Sequence, residues 1–396
     1  MKRNSSWWKW LSYIKFGNNV IFVLIGVYFF LVPGFLVIKQ VSDPALKNGE
    51  IPKYVVHWHK SLTRRYQTWA EERVVSEEAA ELSVDQIAAT EWPIFGSVYY
   101  LWATESLQKA WEADPSLSTE MPSEYAQGAI EAAVELIIDP NHAAWVKDHW
   151  GEDYLERENI FYRMLYISGL TSYQSLSRDE YYQDLLRIQV DSLSAELDQS
   201  RFGLLDDYPS QCYPIDILPA IAVIQRADVV LGTDHSEMIS RAVRGFDDSR
   251  LDDQTGLPAY IANSETGLGI GPARGVGISY MLIWAPEIWP ETAEDWYQKY
   301  ESQYWQDSWM VAGVREFAKG SPYPDWYTMD VDAGPVLAGY GTAASAFGIG
   351  AARANGQMDQ AYQLSSEALL VSWPLLDGTR LGARALSGLS GAPYLG

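Results

Sequence analysis

The longest hydrophobic pattern in the chain is an uncharged apolar run from Val20 to Ile38, VIFVLIGVYFFLVPGFLVI. A helix needs about 20 such residues to cross the hydrocarbon core of a bilayer. The run therefore predicts a single transmembrane anchor at residues 20–38. A cleaved signal peptide is the alternative, but the run is longer than a signal core and no Ala-x-Ala site follows it.

Basic residues are more frequent before this run than directly after it. The positive-inside rule then predicts a cytoplasmic N-terminal segment at residues 1–19 and an extracytoplasmic body, at an inner or plasma membrane. Residues 39–74 are polar with basic patches, and we interpret them as a connector or a first helix. The remaining domain is residues 75–396.

From Val75 onward the apolar spacing is mainly helical, and short loops rich in Gly, Pro, Asp or Ser separate the segments. The predicted helices are Glu77–Ala89, Ile94–Ala113, Ser123–Ile138, Ile160–Ser175, Asp179–Ala195, Pro214–Leu231, His235–Asp247, Ala273–Trp284, Glu291–Ser308, Ala333–Asn355 and Met358–Val371. Two loops, Arg201–Tyr213 and Gly256–Ile261, are predicted as short hairpins. Alternating short and long loops favour an all-α fold, an (α/α)6 toroid or barrel with a central cavity. An elongated helical repeat array is the alternative.

The stretch from Asp325 to Gly350 joins an acidic, aromatic loop to a long run of small residues. Small side chains let a helix lie close to its neighbours, so we expect this loop to enter a helix deep in the bundle. Trp326 and Asp330 are candidate substrate-binding residues, and Asp332 is a candidate acid or base. The alternative for Asp332 is an N-cap of a helix starting at Ala333, worth about 0.5–2 kcal/mol.

The amino-acid composition excludes some classes of function and favours others. The net charge of −23 argues against a nucleic-acid partner, because phosphates require a basic surface. The 17 Trp and 25 Tyr suit pockets for amphipathic ligands as well as ordinary cores. The single cysteine, Cys212, excludes an intrachain disulfide and a Cys-based zinc site. His57 and His59 are the only close histidine pair, and a solvated segment beside the membrane is favoured over a metal site. No cofactor motif occurs, and a homo-oligomer stays open.

Two further polar stretches supply candidates. Glu158 and Asn159 precede an apolar helix, where capping is the alternative to a place at the mouth of a cavity. Asp206, Asp207 and Cys212 share one loop. A carboxyl of that loop would act as a general acid if an apolar cavity raised its pKa, and a solvated turn is the alternative. Arg274 enters a predicted helix, either pairing with an acid or facing solvent.

The candidate residues fall into two groups. Candidate catalytic residues are Glu158, Asp206, Asp207, Cys212 and Asp332. Candidate substrate-binding residues are Glu91, Trp92, Asn159, Tyr162, Tyr208, Tyr260, Arg274, Trp326 and Asp330.

Part of the chain resembles the middle of the linalool dehydratase/isomerase family. The matching residues are Trp150-Gly151, Glu156 to Ile160, Tyr162, Gly203 to Leu205, Gln211-Cys212, Gly256 and Glu265-Thr266-Gly267. The resemblance covers about a third of the chain and its motifs are moderately specific. It implies an (α/α)6 barrel, acid–base chemistry on an alkenol, and a small-molecule substrate.

The family site holds two cysteines, a histidine, an aspartate and tyrosines around a small apolar pocket. By resemblance, Cys212 matches one cysteine; the other has no counterpart, although Asp206 lies in the same loop. The histidine position holds Leu165, and Glu91 is the nearest candidate for the aspartate. The resemblance therefore implies the fold more strongly than the reaction.

Three functions remain open. The first is a membrane-anchored, extracytoplasmic lyase or isomerase of this group, acting on a hydroxylated, partly apolar molecule. The second is a carbohydrate-active barrel such as a glycoside hydrolase, epimerase or lyase, by analogy of fold alone. The third is a non-catalytic binding or assembly protein. An enclosed apolar chamber favours the first, an open Trp-floored groove with two separated carboxyls the second, and a centre without convergent carboxyls the third.

Overall fold

The protein is mainly helical, as the sequence predicts. The computed structural model describes residues 5–83, 86–242, 244–247, 251–308, 311–323, 327–330 and 332–374. Trp326 lies outside these residues.

The N-terminal apolar run forms one continuous helical segment. It consists of α1 (Ser5–Gly26), a π-helical turn (Val27–Leu31) and α2 (Val32–Val41). The part from Tyr13 to Val41 has a mean hydropathy of 2.7 over its most apolar window, and only 11% of that window is buried. By length and composition, this segment is able to cross a membrane.

Helices supply most of the remaining chain. Their bounds are α3 Pro44–Lys47, α4 Lys53–Ser76, α5 Ile87–Ala113, α6 Pro122–Tyr125, α7 Gln127–Ile138, α8 Ala144–Trp150, α9 Ile160–Ser177, α10 Gln183–Gln199, α11 Pro214–Leu231, α12 Ser236–Ala242, α13 Arg244–Asp247, α14 Gly275–Ile288, α15 Pro290–Tyr304, α16 Thr342–Ala354 and α17 Met358–Val371. Single 3-10 turns lie at Glu78–Glu81 and Pro115–Leu117. The predicted bounds of α11 and α17 are confirmed, whereas the predicted helix Glu77–Ala89 is largely wrong.

The central helices pack in a series. Helix α5 contacts α9, α9 contacts α11, α11 contacts α14, and α14 contacts α16. Tyr99 of α5 stacks on Phe347 of α16, with ring centroids 6.3 Å apart, so the last member of the series reaches the first. Helices α4 and α7 pack together on one side of this series, and α10, α15 and α17 cover α9, α14 and α16.

The polar segment after the N-terminal apolar helices is largely helical, as one of its two interpretations predicted. Most of it forms helix α4, which packs on α7. His59 is buried there, with Nδ1 2.9 Å from the Tyr125 hydroxyl and Nε2 3.0 Å from the Thr104 hydroxyl. Burial lowers the pKa of His59 to about 4. The expectation of a solvated histidine is therefore wrong, because both ring nitrogens have partners inside the helix bundle.

Short antiparallel strands connect several helices. They are β1 Ile261–Ala262 with β2 Gly269–Ile270, β3 Trp305–Asp307 with β4 Ala312–Val314, and the sheet of β5 Tyr327–Asp330, β6 Gly334–Leu337 and β7 Tyr340–Gly341. The predicted hairpins are confirmed only in part, since Tyr208 pairs with Gln211 and Cys212 pairs with Ala262 as single bridges.

The predicted helix Ala333–Asn355 is wrong over its first part, because α16 begins only at Thr342. Gly334, Ala338 and Gly339 have φ values of 62°, 51° and 86°. These left-handed conformations cannot belong to a right-handed helix. Small residues do allow close packing in α16 itself: a Cβ on Gly350 would lie 3.0 Å from Ile283 of α14.

Three central helices contain an internal proline, which removes one backbone donor and leaves the carbonyl four residues earlier without its helical partner. In α5, Pro93 does this to Ala89, whose carbonyl accepts a hydrogen bond from the Arg73 guanidinium. In α14, Pro286 does the same to Leu282. The Asn355 amide donates to that carbonyl at 2.9 Å.

Candidate active site

The loop that carries Asp206 and Asp207 is fixed to the start of α9. Glu158 accepts a hydrogen bond from the Asp206 amide at 2.7 Å, and the Ile160 amide donates to the Asp206 carbonyl at 3.2 Å. Asn159 between them is in the left-handed region at φ 38° and donates from its side chain to the Tyr154 carbonyl. Glu158 and the Ile160 amide therefore position the loop, and the prediction that Asn159 caps α9 with its side chain is wrong.

Within the loop, each aspartate uses one oxygen to hold the backbone. Asp206 Oδ2 accepts from the Ser210 amide at 2.8 Å, and Asp207 Oδ2 accepts from the Tyr213 amide at 2.8 Å. The Oδ1 atom of each is buried without a hydrogen bond of good geometry among the described residues. Both aspartates are thus buried, whereas the turn that follows them, Pro209 to Gln211, is exposed.

The surroundings of Asp207 favour its protonated form. Its side chain is 2% exposed. Burial raises the pKa of Asp207 well above its ordinary value, and the nearby Asp216 and Asp206 raise it further. The Tyr213 and Phe161 amides lower this pKa, but they do not offset the burial. A buried neutral carboxyl can donate a proton or a hydrogen bond.

Glu91 comes from the first turns of α5, just before Pro93. The Tyr208 hydroxyl donates to Glu91 Oε1 at 2.5 Å, which joins α5 to the loop. Burial raises the pKa of Glu91 to about 7, the Tyr208 hydrogen bond lowers it, and Asp332 raises it. A carboxyl that titrates near neutral pH can both give and take a proton under physiological conditions.

Asp332 lies between β5 and β6, so its predicted role as an N-cap of a helix at Ala333 is wrong. Its Oδ2 accepts a hydrogen bond from the Tyr260 hydroxyl at 2.6 Å. Burial and then Asp332 raise the pKa of Tyr260, which keeps this hydroxyl a donor. Asp332 itself is exposed, so this carboxyl reaches solvent.

Arg274 packs over the face of the Tyr260 ring. Its guanidinium carbon lies 4.5 Å from the centre of the Tyr260 ring, and its Nε donates to Glu316 Oε1 at 2.6 Å. The same Glu316 carboxylate accepts from the Val276 amide in the first turn of α14. Arg274 therefore pairs with an acid, as one of the two alternatives predicted. Glu316 is completely buried and was missed by the sequence argument, since nothing in its neighbourhood indicates a partner.

Asp216 is a further acid of the cluster that the candidate set omitted. It stands in the first turn of α11. Its side chain keeps part of its accessible surface, yet burial, followed by Asp332 and Glu91, raises its pKa well above the ordinary value. The signal in the sequence was its place among apolar residues, PIDILP.

Aromatic side chains flank Asp216. Tyr99 of α5 and Tyr280 of α14 are close enough that Asp216 contributes to raising the pKa of both hydroxyls, after the larger effect of burial. The Tyr280 ring lies 5.1 Å from the Phe347 ring of α16. Tyr99, Tyr280 and Phe347 thus form an aromatic wall near Asp216, contributed by three helices.

The remaining candidates have no side-chain hydrogen bond to these acids among the described contacts, or lie outside the described residues. Tyr162 is completely buried and donates to the Ile137 carbonyl at 3.4 Å, which is a structural role. Trp92 exposes 41% of its surface beside Glu91. Cys212 is buried in the same loop as Asp207. Asp330 ends β5, but its side chain, like Trp326, is outside the described set.

The comparisons with known proteins add no relative. No family model matches the sequence, and no curated protein matches it. Among the described residues, no group of three or more His, Cys, Asp or Glu side chains is arranged to hold a metal ion.

Proposed function

We propose that the protein is a membrane-anchored, extracytoplasmic acid–base enzyme similar to linalool dehydratase/isomerase. Its substrate is a hydroxylated, partly apolar small molecule, which it dehydrates, hydrates or isomerises. The observation that carries this proposal is the convergence of Glu91, Asp207, Asp216 and Asp332. They come from four separate segments, and their surroundings differ from fully buried to exposed. Environments that separate carboxyl pKa values assign acid and base roles.

A barrel of the (α/α) type expected from the sequence is the architecture we propose around this site, with five central helices among the described residues rather than the six of a complete (α/α)6 toroid. Central helices α5, α9, α11, α14 and α16 alternate along the chain with helices that pack outside them. The stacking of Tyr99 on Phe347 supports closure of the series into a ring. In such a ring, the first turns of α5, α11 and α14 would share one end, where Glu91, Asp216 and Arg274 stand.

The proposed dehydration uses Glu91 as the acid and Asp332 as the base. Protonated Glu91 gives its proton to the substrate hydroxyl as the carbon–oxygen bond breaks, and water leaves. Asp332 takes a proton from the adjacent carbon, and the electrons of that carbon–hydrogen bond form the new double bond. The proton balance is restored when the proton on Asp332 is returned to Glu91 through water. Hydration follows the same steps in reverse.

The other groups of the cluster bind and orient. Neutral Asp207 and Asp216 stay protonated and donate hydrogen bonds to substrate oxygen. Tyr208 and Tyr260 fix the orientation of the two reacting carboxyls. The aromatic wall of Tyr99, Tyr280 and Phe347 would pack against the hydrocarbon part of the substrate. Cys212 has no assigned step, because a thiol nucleophile requires a depressed pKa and a positioned base.

Turnover measurements test this proposal. The full-length protein in detergent would be incubated with tertiary and allylic alkenols in D2O, and gas chromatography with mass spectrometry would detect dehydrated, hydrated or isomerised products. Glu91→Gln is expected to lower turnover by roughly the 10²- to 10⁴-fold that general acid–base groups supply. Glu112→Gln, on the exposed face of the same helix, is the matched control. Turnover unchanged in Glu91→Gln would remove Glu91 from the mechanism.

A carbohydrate-active enzyme is the second candidate, and the difference in solvent exposure between two of the acids favours it. Asp332 is exposed while Asp216 is enclosed, and an inverting glycosidase needs a base with access to water opposite a protonated acid. Release of sugar with inverted configuration, together with no reaction of any alkenol, would select this candidate. Binding of neither class would favour the non-catalytic alternative.

The membrane orientation is tested separately. Protease added to intact spheroplasts is expected to degrade the body of an anchored, extracytoplasmic protein. Full protection of the body from the protease would refute the proposed orientation, whatever the outcome of the turnover assay.

A further inference from the structure

The anchor is not an isolated helix, because its second half packs along α17. The Tyr362 hydroxyl of α17 donates to the Val41 carbonyl at 3.1 Å. At the other end of the contact, the Trp373 indole Nε1 donates to the Phe29 carbonyl at 2.9 Å. The chain thus runs antiparallel in the two segments, with Tyr362 beside the end of α2 and Trp373 beside its beginning.

The contact is close along this length. Pro33 and Val37 of α2 are buried. A Cβ placed on Gly34 would lie 3.6 Å from the Trp373 ring. Phe29 lies in the π-helical turn Val27–Leu31, where the regular hydrogen-bond spacing of the helix is interrupted. The Phe29 carbonyl, which accepts the hydrogen bond from the Trp373 indole, therefore lies in the part of the helix where the regular i to i−4 backbone hydrogen bonds are interrupted.

The position of Phe29 determines the depth of Trp373. Phe29 is in the middle of the apolar run from Val20 to Ile38. At 1.5 Å per residue, it lies about 13 Å along the helix from Ile38. If Val20–Ile38 crosses the hydrocarbon core, a side chain bonded to Phe29 must enter that core as well.

The exposed surface near Trp373 is apolar, as a position inside the hydrocarbon core requires. In the last turn of α17, Leu370 is 54% exposed and Val371 is 74% exposed. On the adjoining anchor, Phe35 and Ile38 are each 66% exposed. These four side chains extend the apolar surface of the anchor onto the body.

Polar groups of α17 lie elsewhere. Glu367 is turned toward the body, where its Oε1 accepts a hydrogen bond from the Ala312 amide at 2.5 Å. Gln363, two turns before Val371, is exposed in the first half of the helix. The polarity of α17 therefore changes along its axis, from a polar start to an apolar last turn.

We propose that the C-terminal end of α17 and the two residues that follow it, Leu370 to Trp373, lie inside the bilayer beside the anchor, in contact with lipid acyl chains. The protein then has two membrane-embedded elements, one spanning and one that enters from the outer side. This inference rests on the membrane anchor of the proposed function. Two attachment points fix the tilt of the body against the bilayer, which one flexible anchor cannot do.

Depth-dependent quenching tests this proposal in the full-length protein. Single cysteines would be introduced as Phe22→Cys, Gln363→Cys and Val371→Cys and labelled with an environment-sensitive fluorophore in liposomes. All three positions are exposed, so these substitutions leave the packing intact. Wild-type protein gives the background from buried Cys212. Brominated lipids are expected to quench the labels at Phe22 and Val371, and aqueous iodide the label at Gln363.

Each other outcome has one meaning. Iodide quenching at Val371, with lipid quenching kept at Phe22, places α17 in water and overturns the inference alone. Protection of Val371 from both quenchers means that protein covers this turn, which also overturns it. Absence of lipid quenching at Phe22 refutes the anchor itself, and the inference fails with it.

Discussion

Replacing Glu91 by glutamine measures how much the free energy of unfolding decreases when this buried carboxyl ionises. The folded protein keeps the Glu91 proton up to a pKa of about 7, whereas the ordinary value is 4.5. Between these values the folded state binds more protons than the unfolded chain, so the free energy of unfolding decreases as the pH rises. One pKa unit corresponds to about 1.4 kcal/mol. The loss between pH 5 and pH 8 is then on the order of 3 kcal/mol.

A glutamine at this position copies the protonated form and cannot ionise. Its carboxamide oxygen can still accept the hydrogen bond from Tyr208. Glu91→Gln is therefore expected to match the wild type below pH 4.5, where the carboxyl is protonated in both states. It should exceed the wild-type unfolding free energy by on the order of 1 kcal/mol at pH 5 and on the order of 3 kcal/mol at pH 8. Urea unfolding in mild detergent, followed by tryptophan fluorescence at both pH values, measures this difference.

The control is Glu112→Gln, which removes one exposed charge from the same helix. If Glu91→Gln and wild type differ by the same amount at pH 5 and pH 8, within about 0.5 kcal/mol, burial of Glu91 does not raise its pKa. That result would also remove the main argument for Glu91 as the acid, whereas a pH-dependent gain combined with lost turnover supports it.

Three further predictions concern other parts of the fold. Gly275→Ala places a Cβ against the Arg315 carbonyl, so it should lower the unfolding free energy by about 1–3 kcal/mol or more, seen as a lower Tm. Cys212→Ser should keep substantial turnover; a loss of roughly 10²- to 10⁴-fold with the fold intact would restore a cysteine mechanism. His142→Ala should cost about 1–3 kcal/mol in urea unfolding, because His142 Nε2 accepts a hydrogen bond from Arg73 at 3.1 Å; unchanged stability would show that Arg73 needs no such support.

The sequence predicted those elements whose apolar spacing and termini agree. Helix α11 begins at Pro214 and ends before Gly232, and both residues are typical of these positions, so its bounds were correct. The run Ala333–Asn355 was misjudged because its small residues were interpreted as a close helix–helix contact, whereas its glycines also allow turns. The left-handed conformations at Ala338 and Gly339 depend on the sheet that they connect, and that sheet is a tertiary feature.

The site was predicted in part. Tyr208 and Glu91 were both candidates, yet only folding shows that they share a hydrogen bond across 117 positions of sequence separation. Asp332 was chosen for a helix start that does not exist, and it lies near the other acids because Tyr260 binds it. Asp216 was passed over, since the sequence does not show which face of its helix points inward.

The proline in α5 has a consequence for how the protein opens. Because Pro93 leaves the Ala89 carbonyl without a donor from its own helix, the first turns of α5 are complete only when Arg73 of α4 is in place. These turns carry Glu91. The ends of the two helices should then form one cooperative unit, in which amide hydrogens exchange with solvent at a common free energy of opening. Glu91 is therefore held in its place in the site only in molecules in which α4 and α5 have both folded.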